Sequence, residues 1–111
     1  MDLRRLTPTL SVAPQIAPDE LSAAAAAGFT TLICNRPDGE QPGQPDHEAM
    51  ARGFGGAGHG LVLAYCRSGT RSTQLWALSQ AGKRPWSEVL QAAAAAGYDL
   101  SRMPPPAAAQ G

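Results

Sequence analysis

Seven consecutive residues, Cys66-Arg67-Ser68-Gly69-Thr70-Arg71-Ser72, gather one thiol, two guanidiniums and three hydroxyls around a single glycine. They follow the apolar run Leu61 to Tyr65, which reads as a buried strand. Ligands of open α/β sheets bind beyond the carboxyl ends of the strands, where the next helices begin. Cys66 stands at such a place. If residues 67 to 71 curl over the sulfur, their N–H groups point inward, and the unpaired donors of the following helix join them to make an anion cradle. The same donors, with the positive helix end and Arg71, favour thiolate over thiol and make Cys66 a nucleophile at neutral pH. Gly69 permits a backbone angle or close approach that a β-carbon would obstruct. Arg71 offers a planar fork to two oxygens of an oxyanion. Ser72 can donate to the sulfur or cap the helix, while Ser68 and Thr70 complete the loop. Arg67 is as able to face solvent as to enter the site. A lone cysteine at a strand end is ordinarily a small buried hydrophobe; its arginine, glycine and serine neighbours argue against that reading here.

The elements that must hold this loop are legible on both sides of it. Leu10 to Val12 is a short strand closed by Pro14, and PDELSAAAAAGF is a helix with Asp19 and Glu20 in its first turn and Gly28 as its stop. Phe29 to Cys34 is β-branched and apolar, as a buried strand requires. It runs into NRPDGEQPGQPDHE, whose Pro, Gly, Asn and Asp content makes a loop, with a short helix expected over 46–52 and GFGGAGHG as a flexible connection. A helix is expected over 70–81, ended by Gly82, and another over 87–96, with Ser87 as N-cap and Gly97 as stop. Trp76, Leu75 and Leu78 fit packing of the first of these, and Trp86 fits cover for the same core. Strand, helix, strand, loop, strand, helix is the order of a small α/β layer structure with a mainly parallel sheet. One domain over 1–100 is expected. The tail 101–111 is too rich in Pro and Ala to build a core and is expected to be disordered.

At 111 residues the chain has room for one modest core and one site. Its nine basic and nine acidic residues cancel with no basic cluster, which speaks against nucleic acid. Neither a signal-peptide apolar run nor a stretch near the roughly 20 apolar residues of a membrane span is present, so a soluble cytoplasmic protein with reduced thiols is expected. His47 and His59 are too far apart, with too few companions, to argue for a metal, and no cofactor is expected.

Three further residues carry alternatives. Asp38 can serve as a general acid beside the loop or simply as a turn residue before Gly39. Arg36 can bind the anion or pair with Asp38 or Glu40. Cys34 reads first as a buried thiol, and otherwise as a partner that resolves an oxidised Cys66.

YCRSGTRS resembles the Cys-x4-Arg loop of the rhodanese sulfurtransferases and approaches the Cys-x5-Arg loop of tyrosine and dual-specificity phosphatases. The wider stretches LTPTLSVAPQIAPDEL, GFTTLICNRPDGEQPGQP and LAYCRSGTRSTQLWAL are similar to the phosphatase-like domain family of the beta-lactamase-hydrolase-like proteins, over most of residues 1 to 82. The resemblance implies a dual-specificity-phosphatase-like, three-layer α/β/α fold. It also implies a setting in sulfur metabolism, with a persulfide-handling enzyme as a possible partner. In that family a further strand and helix separate NRPDGE from the cysteine, whereas here ARGFGGAGHG joins the halves. Loop length favours sulfurtransfer as the first reading: a loop one residue shorter than a phosphatase loop suits a persulfide sulfur better than a phosphoryl group, and sulfite or a thiolate leaves without an acid. Cys66 would take sulfane sulfur as a persulfide and pass it to a thiol. The alternatives are a phosphatase acting through a Cys66 phospho-intermediate, and a non-catalytic domain that binds an anion or partner. On the first two readings the ligand is a small sulfur-containing or phosphate anion.

Overall fold

Two apolar segments, Phe29–Cys34 (β3) and Leu61–Tyr65 (β4), pair in parallel; β4 lies inside the sheet, whereas β3 is its edge strand and, apart from Phe29, is half-buried or exposed rather than buried as its composition suggests. The computed structural model describes residues 1–46, 48–50, 60–103 and 105. Leu10–Ala13 (β2) lies parallel to β4 on its other side, and Arg4–Arg5 (β1) pairs antiparallel with β2, giving the sheet order β1-β2-β4-β3. Ala13, Tyr65 and Cys34 are register partners across the three parallel strands, so all three carboxyl ends finish at one level. The mainly parallel sheet expected from the sequence is the one present. The short strand β1 carries no pattern that a sequence reading could find. It exists because the chain folds back at Thr7, whose hydroxyl accepts the N–H groups of Thr9 and Leu10 at 3.2 and 3.0 Å.

Alternation along the strands feeds two cores. On one face Val12 and Ala64 meet Thr70–Ser79 (α2) and Trp86–Ala95 (α3) through Trp76, Ala77, Val89 and Ala93. On the other, Ala13, Leu63 and Tyr65 meet Leu21–Ala26 (α1), with Ile16 and Met50. Leu63 and Val89 are fully buried, each contributing about 1.5–3 kcal/mol of hydrophobic stabilisation. Helices above and below one sheet make the three-layer α/β/α fold, and the alanines that sequence suggests as mere helix formers let α1 and α3 approach it closely: Ala24 and Ala93 have no exposed surface.

Some boundaries move. A single 3-10 turn, Pro18–Glu20, precedes α1, with the Glu20 carboxylate accepting the Ala17 N–H at 2.9 Å. Pro85, rather than Ser87, stands at the N-cap of α3; a proline lacks only an N–H that a helix start leaves unused. Helix α2 ends at Ser79. Trp76 is buried and Trp86 packs on the same core as expected, but Leu75 and Leu78 are 48% and 46% exposed, because residues 72, 73, 76 and 77 form the inward stripe. Of the helix expected over 46–52, residues 48–50 are helical, begun by Asp46, whose carboxylate accepts the Ala49 N–H at 2.7 Å. His47, His59, the GFGGAGHG connection apart from Gly60, and most of the tail from 104 onward lie outside the described residues. No helix among the described residues is long and apolar enough to cross a membrane.

Candidate active site

Beyond Tyr65 the ladder continues for one more residue on each side: the Cys66 N–H donates to the Ala13 carbonyl at 3.3 Å and the Asn35 N–H to the Tyr65 carbonyl at 2.8 Å. This delivers Cys66, 1% exposed, to the shared carboxyl edge of the sheet. The chain then turns over the sulfur. Gly69 adopts φ +92°, a left-handed conformation that side chains resist, and its N–H donates to Cys66 Sγ at 3.0 Å. Its carbonyl is fixed by Thr73, which donates through its N–H at 3.0 Å and its hydroxyl at 2.8 Å.

The electrostatic outcome follows from competing causes. Burial of Cys66 opposes ionisation, but donation to the sulfur by the Ser72 N–H and hydroxyl and by the N–H groups of Ser68 and Gly69 outweighs it, and the thiol's pKa falls below its ordinary value. Ser72 is itself buried and oriented by the Asn35 side-chain amide, which donates to its hydroxyl at 3.1 Å. The curl expected of residues 67 to 71 is thus present. Its individual members differ: Arg67 and Thr70 are exposed, and the Ser68 hydroxyl reaches Thr70 at 3.1 Å rather than the sulfur.

The two arginines flanking the site share one carboxylate. Arg71 donates to the Asn35 carbonyl at 2.7 Å and to Glu40 Oε2 at 3.0 Å, while Arg36 donates to Glu40 Oε1 at 2.8 Å. Arg71 is 43% exposed, at the mouth of the loop; Arg36 is buried and also holds Gln15 and Gln41 at 2.9 and 2.8 Å. Arg36 therefore braces residues 36 to 41, the pairing with Glu40 being the one of its two expected roles that the geometry displays. Hydrogen bonding from Arg71, joined by Arg36, holds the Glu40 carboxyl below the usual carboxylate range. Asp38 sits in the exposed turn before Gly39, which has φ +75°, and its charge is felt by Tyr65. Cys34, half-buried on the edge strand rather than buried as expected, donates to the Arg36 carbonyl at 3.3 Å and hydrogen-bonds the Tyr65 phenol, whose pKa is raised chiefly by burial; Cys34 and Cys66 are both free thiols.

Sequence reasoning passed over Asn35, Thr73 and Tyr98, and gave Glu40 no role beyond a possible partner for Arg36. The Tyr98 hydroxyl donates to the Ser68 carbonyl at 3.2 Å from the far end of the chain. Of the four, only Asn35 and Glu40 carried a signal, as members of NRPDGE in the loop after β3.

A buried cysteine at the carboxyl edge of a three-layer α/β/α sheet, wrapped by N–H donors and flanked by an arginine, defines the class of phosphatase-like domains with a cysteine loop. The family model for the beta-lactamase hydrolase-like protein, phosphatase-like domain, matches residues 2–59 and 45–83, and the chain belongs to that family. It is 31% identical over 123 residues to the beta-lactamase hydrolase-like protein of Xylella fastidiosa Temecula1, covering 84% of this chain and 28% of the relative. The Agrobacterium fabrum protein of the same name is 29% identical over 126 residues, covering 86% and 29%. The chain thus spans under a third of the length of these curated relatives. Among solved structures it resembles a candidate phosphatase from Neisseria meningitidis Z2491 with TM-score 0.75 at 28% identity, covering 92% of this chain and 93% of that one. A second candidate phosphatase, from Shewanella putrefaciens CN-32, shares the fold with TM-score 0.60 at 14% identity, covering 87% and 94%. The Xylella alignment is longer than the 111-residue chain itself, and the family model matches in two pieces, so the relatives carry residues within this stretch that the chain lacks.

Proposed function

We propose that this domain is a cysteine-dependent hydrolase of phosphate monoesters, with Cys66 as nucleophile. The observation that carries the reading is the Gly69 N–H on the Cys66 sulfur inside a loop whose other donors also face it. The family and the Neisseria neighbour support phosphate over sulfur, which reverses the preference that loop length alone suggests.

In the first step the Cys66 thiolate attacks phosphorus, the S–P bond forms, and the P–O bond to the alcohol breaks with its electron pair leaving on oxygen. Loop N–H groups and Arg71 hold the remaining phosphoryl oxygens as charge develops on them. Asp38, in the exposed turn before Gly39, is the residue proposed to protonate the leaving oxygen. Water then attacks phosphorus while the Asp38 carboxylate takes its proton, the S–P bond breaks with its electron pair returning to sulfur, and hydrogen phosphate leaves with the thiolate and the protonated acid restored. Arg67, Ser68, Thr70 and Ser72 complete the anion loop.

A second reading rests on one specific observation, the four residues between Cys66 and Arg71. A cradle this short fits a sulfane sulfur: the thiolate attacks the outer sulfur of thiosulfate, sulfite leaves, and the persulfide passes its sulfur to an acceptor thiolate, with a persulfide-handling partner enzyme nearby. Hydrolysis of an aryl phosphate, inhibited by vanadate and absent in Cys66→Ser, is the expected result. A sulfur adduct on Cys66 after thiosulfate, with no phosphate turnover, would move the assignment to the second reading. Neither activity in the wild-type protein would leave an anion-binding domain without chemistry.

A further inference from the structure

The peptide that supplies the Gly69 N–H to the cysteine is held at both ends. Its N–H donates to Cys66 Sγ at 3.0 Å, and its carbonyl, that of Ser68, accepts the Tyr98 hydroxyl at 3.2 Å. A peptide unit is a rigid plane with its N–H and C=O pointing in opposite directions. Fixing the oxygen fixes the hydrogen. Donation to the oxygen also polarises the plane and strengthens its N–H as a donor, since linked hydrogen bonds reinforce one another.

Tyr98 arrives there through a defined helix end. Gly97, at φ +96°, follows the Ala96 cap of α3; its N–H donates to the Ala94 carbonyl at 2.9 Å and the Tyr98 N–H to the Ala93 carbonyl at 2.8 Å. This is the Schellman arrangement, which turns the chain back across the helix end. Arg4, held by Asp2 at 2.9 Å, reaches from β1 to the Ala96 carbonyl at 3.4 Å and supports the same corner. The phenol comes so close to the loop that a β-carbon on Gly69 would run into its hydroxyl. The glycine is therefore required twice, by its own φ and by Tyr98. Burial raises the phenol's pKa against the opposing charge of Arg4, with the charges of Asp2 and Cys66 acting in the same direction as burial, so the phenol stays protonated as a donor across the neutral range.

We infer that Tyr98 is a positioning residue for the candidate nucleophile: from outside the family-matched segment, which ends at residue 83, it locks the Ser68–Gly69 peptide with its N–H on the Cys66 sulfur. The inference rests on the proposed role of Cys66. It assigns to α3, otherwise a packing helix, a part in setting the reactivity of a loop 30 residues away in sequence.

The test is the pH profile of Cys66 alkylation by iodoacetamide in a Cys34→Ala background, read by intact mass, for Tyr98 and Tyr98→Phe. The ring is retained and only the hydroxyl is lost, so circular dichroism and thermal melting are expected to change little. The profile of Tyr98→Phe should move to higher pH, with alkylation at pH about 6.5 slowed several-fold. In case Tyr98→Phe does not fold, 3-fluorotyrosine at position 98 keeps the shape and makes a stronger donor; its profile should move to lower pH. Superimposable profiles with a reactive low-pH thiol in every protein would overturn the role of Tyr98 while leaving Cys66 as nucleophile. An ordinary thiol profile in all of them would overturn both.

Discussion

The carboxyl edge of the sheet and the outer flank of β3 are built from the same strands to opposite standards. At the edge, the groups around Cys66 answer one another: Gly69 bonds the sulfur, Thr73 and Tyr98 hold the peptides on either side of Gly69, Asn35 orients Ser72, and Glu40 spans two arginines. On the flank, Ile33 of β3 and Leu75 and Leu78 of α2 stand 42 to 48% exposed. Ile33 and Leu75 line a cavity of about 240 Å³ between strand and helix. The relatives carry residues that the chain lacks, yet the edge is assembled from the groups present. The lesson is that the loop draws its geometry from β2, β4, α2, α3 and the segment just after β3, through Asn35 and Glu40, and not from the exposed apolar side chains of the flank.

Breaking the edge should therefore be costly, and Gly69→Ala should cost most. It combines a left-handed φ with a collision at Tyr98, so a stability loss of about 2 kcal/mol or more is expected in urea unfolding, with loss of Cys66 reactivity. A cost within the noise would show that the loop is free to rearrange and the contrast is unfounded.

Ser72→Ala comes next. It removes a donor to the sulfur, so the alkylation profile of Cys66 should move to higher pH and the rate near neutrality should fall several-fold. Cys66 is an acid whose folded pKa is depressed. Its ionisation therefore adds stability that is fully present above the unfolded value of about 8.5 and is lost as pH falls through the lower folded value. The stability difference between wild type and Cys66→Ala should accordingly shrink across that window, and a difference independent of pH would contradict the assignment.

These effects were only partly legible in the sequence. YCRSGTRS marked the loop and its place after a strand because the chemistry and the apolar run are contiguous. The parallel sheet and the glycine stops at Gly28 and Gly97 were readable for the same local reason. Tyr98 was not, since its meaning depends on how α3 crosses the sheet, and AAGYDL reads only as a helix end. Glu40 was seen merely as a possible partner for Arg36; that it also takes Arg71 is a distance across 31 residues. Leu75 and Leu78 misled because helical spacing identifies an apolar stripe without saying whether anything lies against it.

A smaller effect is expected from Glu40→Gln. Removing the carboxylate frees Arg71 and takes a like charge away from an incoming anion, so phosphate should bind a few-fold more tightly by calorimetry. Weaker binding would instead mean that Glu40 holds Arg71 where the anion needs it. On the flank, Leu75→Ser should change stability by no more than about 0.5 kcal/mol and leave Cys66 reactivity untouched. A large loss at that position would show that the flank supports the site after all.

The central claim, a reactive Cys66 thiolate inside an anion cradle, is tested most directly by anion protection. Wild-type protein is treated with iodoacetamide at pH about 6.5, with and without inorganic tungstate, and the modified cysteine is located by peptide mass. The account predicts rapid modification confined to Cys66 and suppressed by tungstate, with Cys34 untouched. Slow modification that tungstate does not alter, or modification of Cys34 in preference to Cys66, would contradict it.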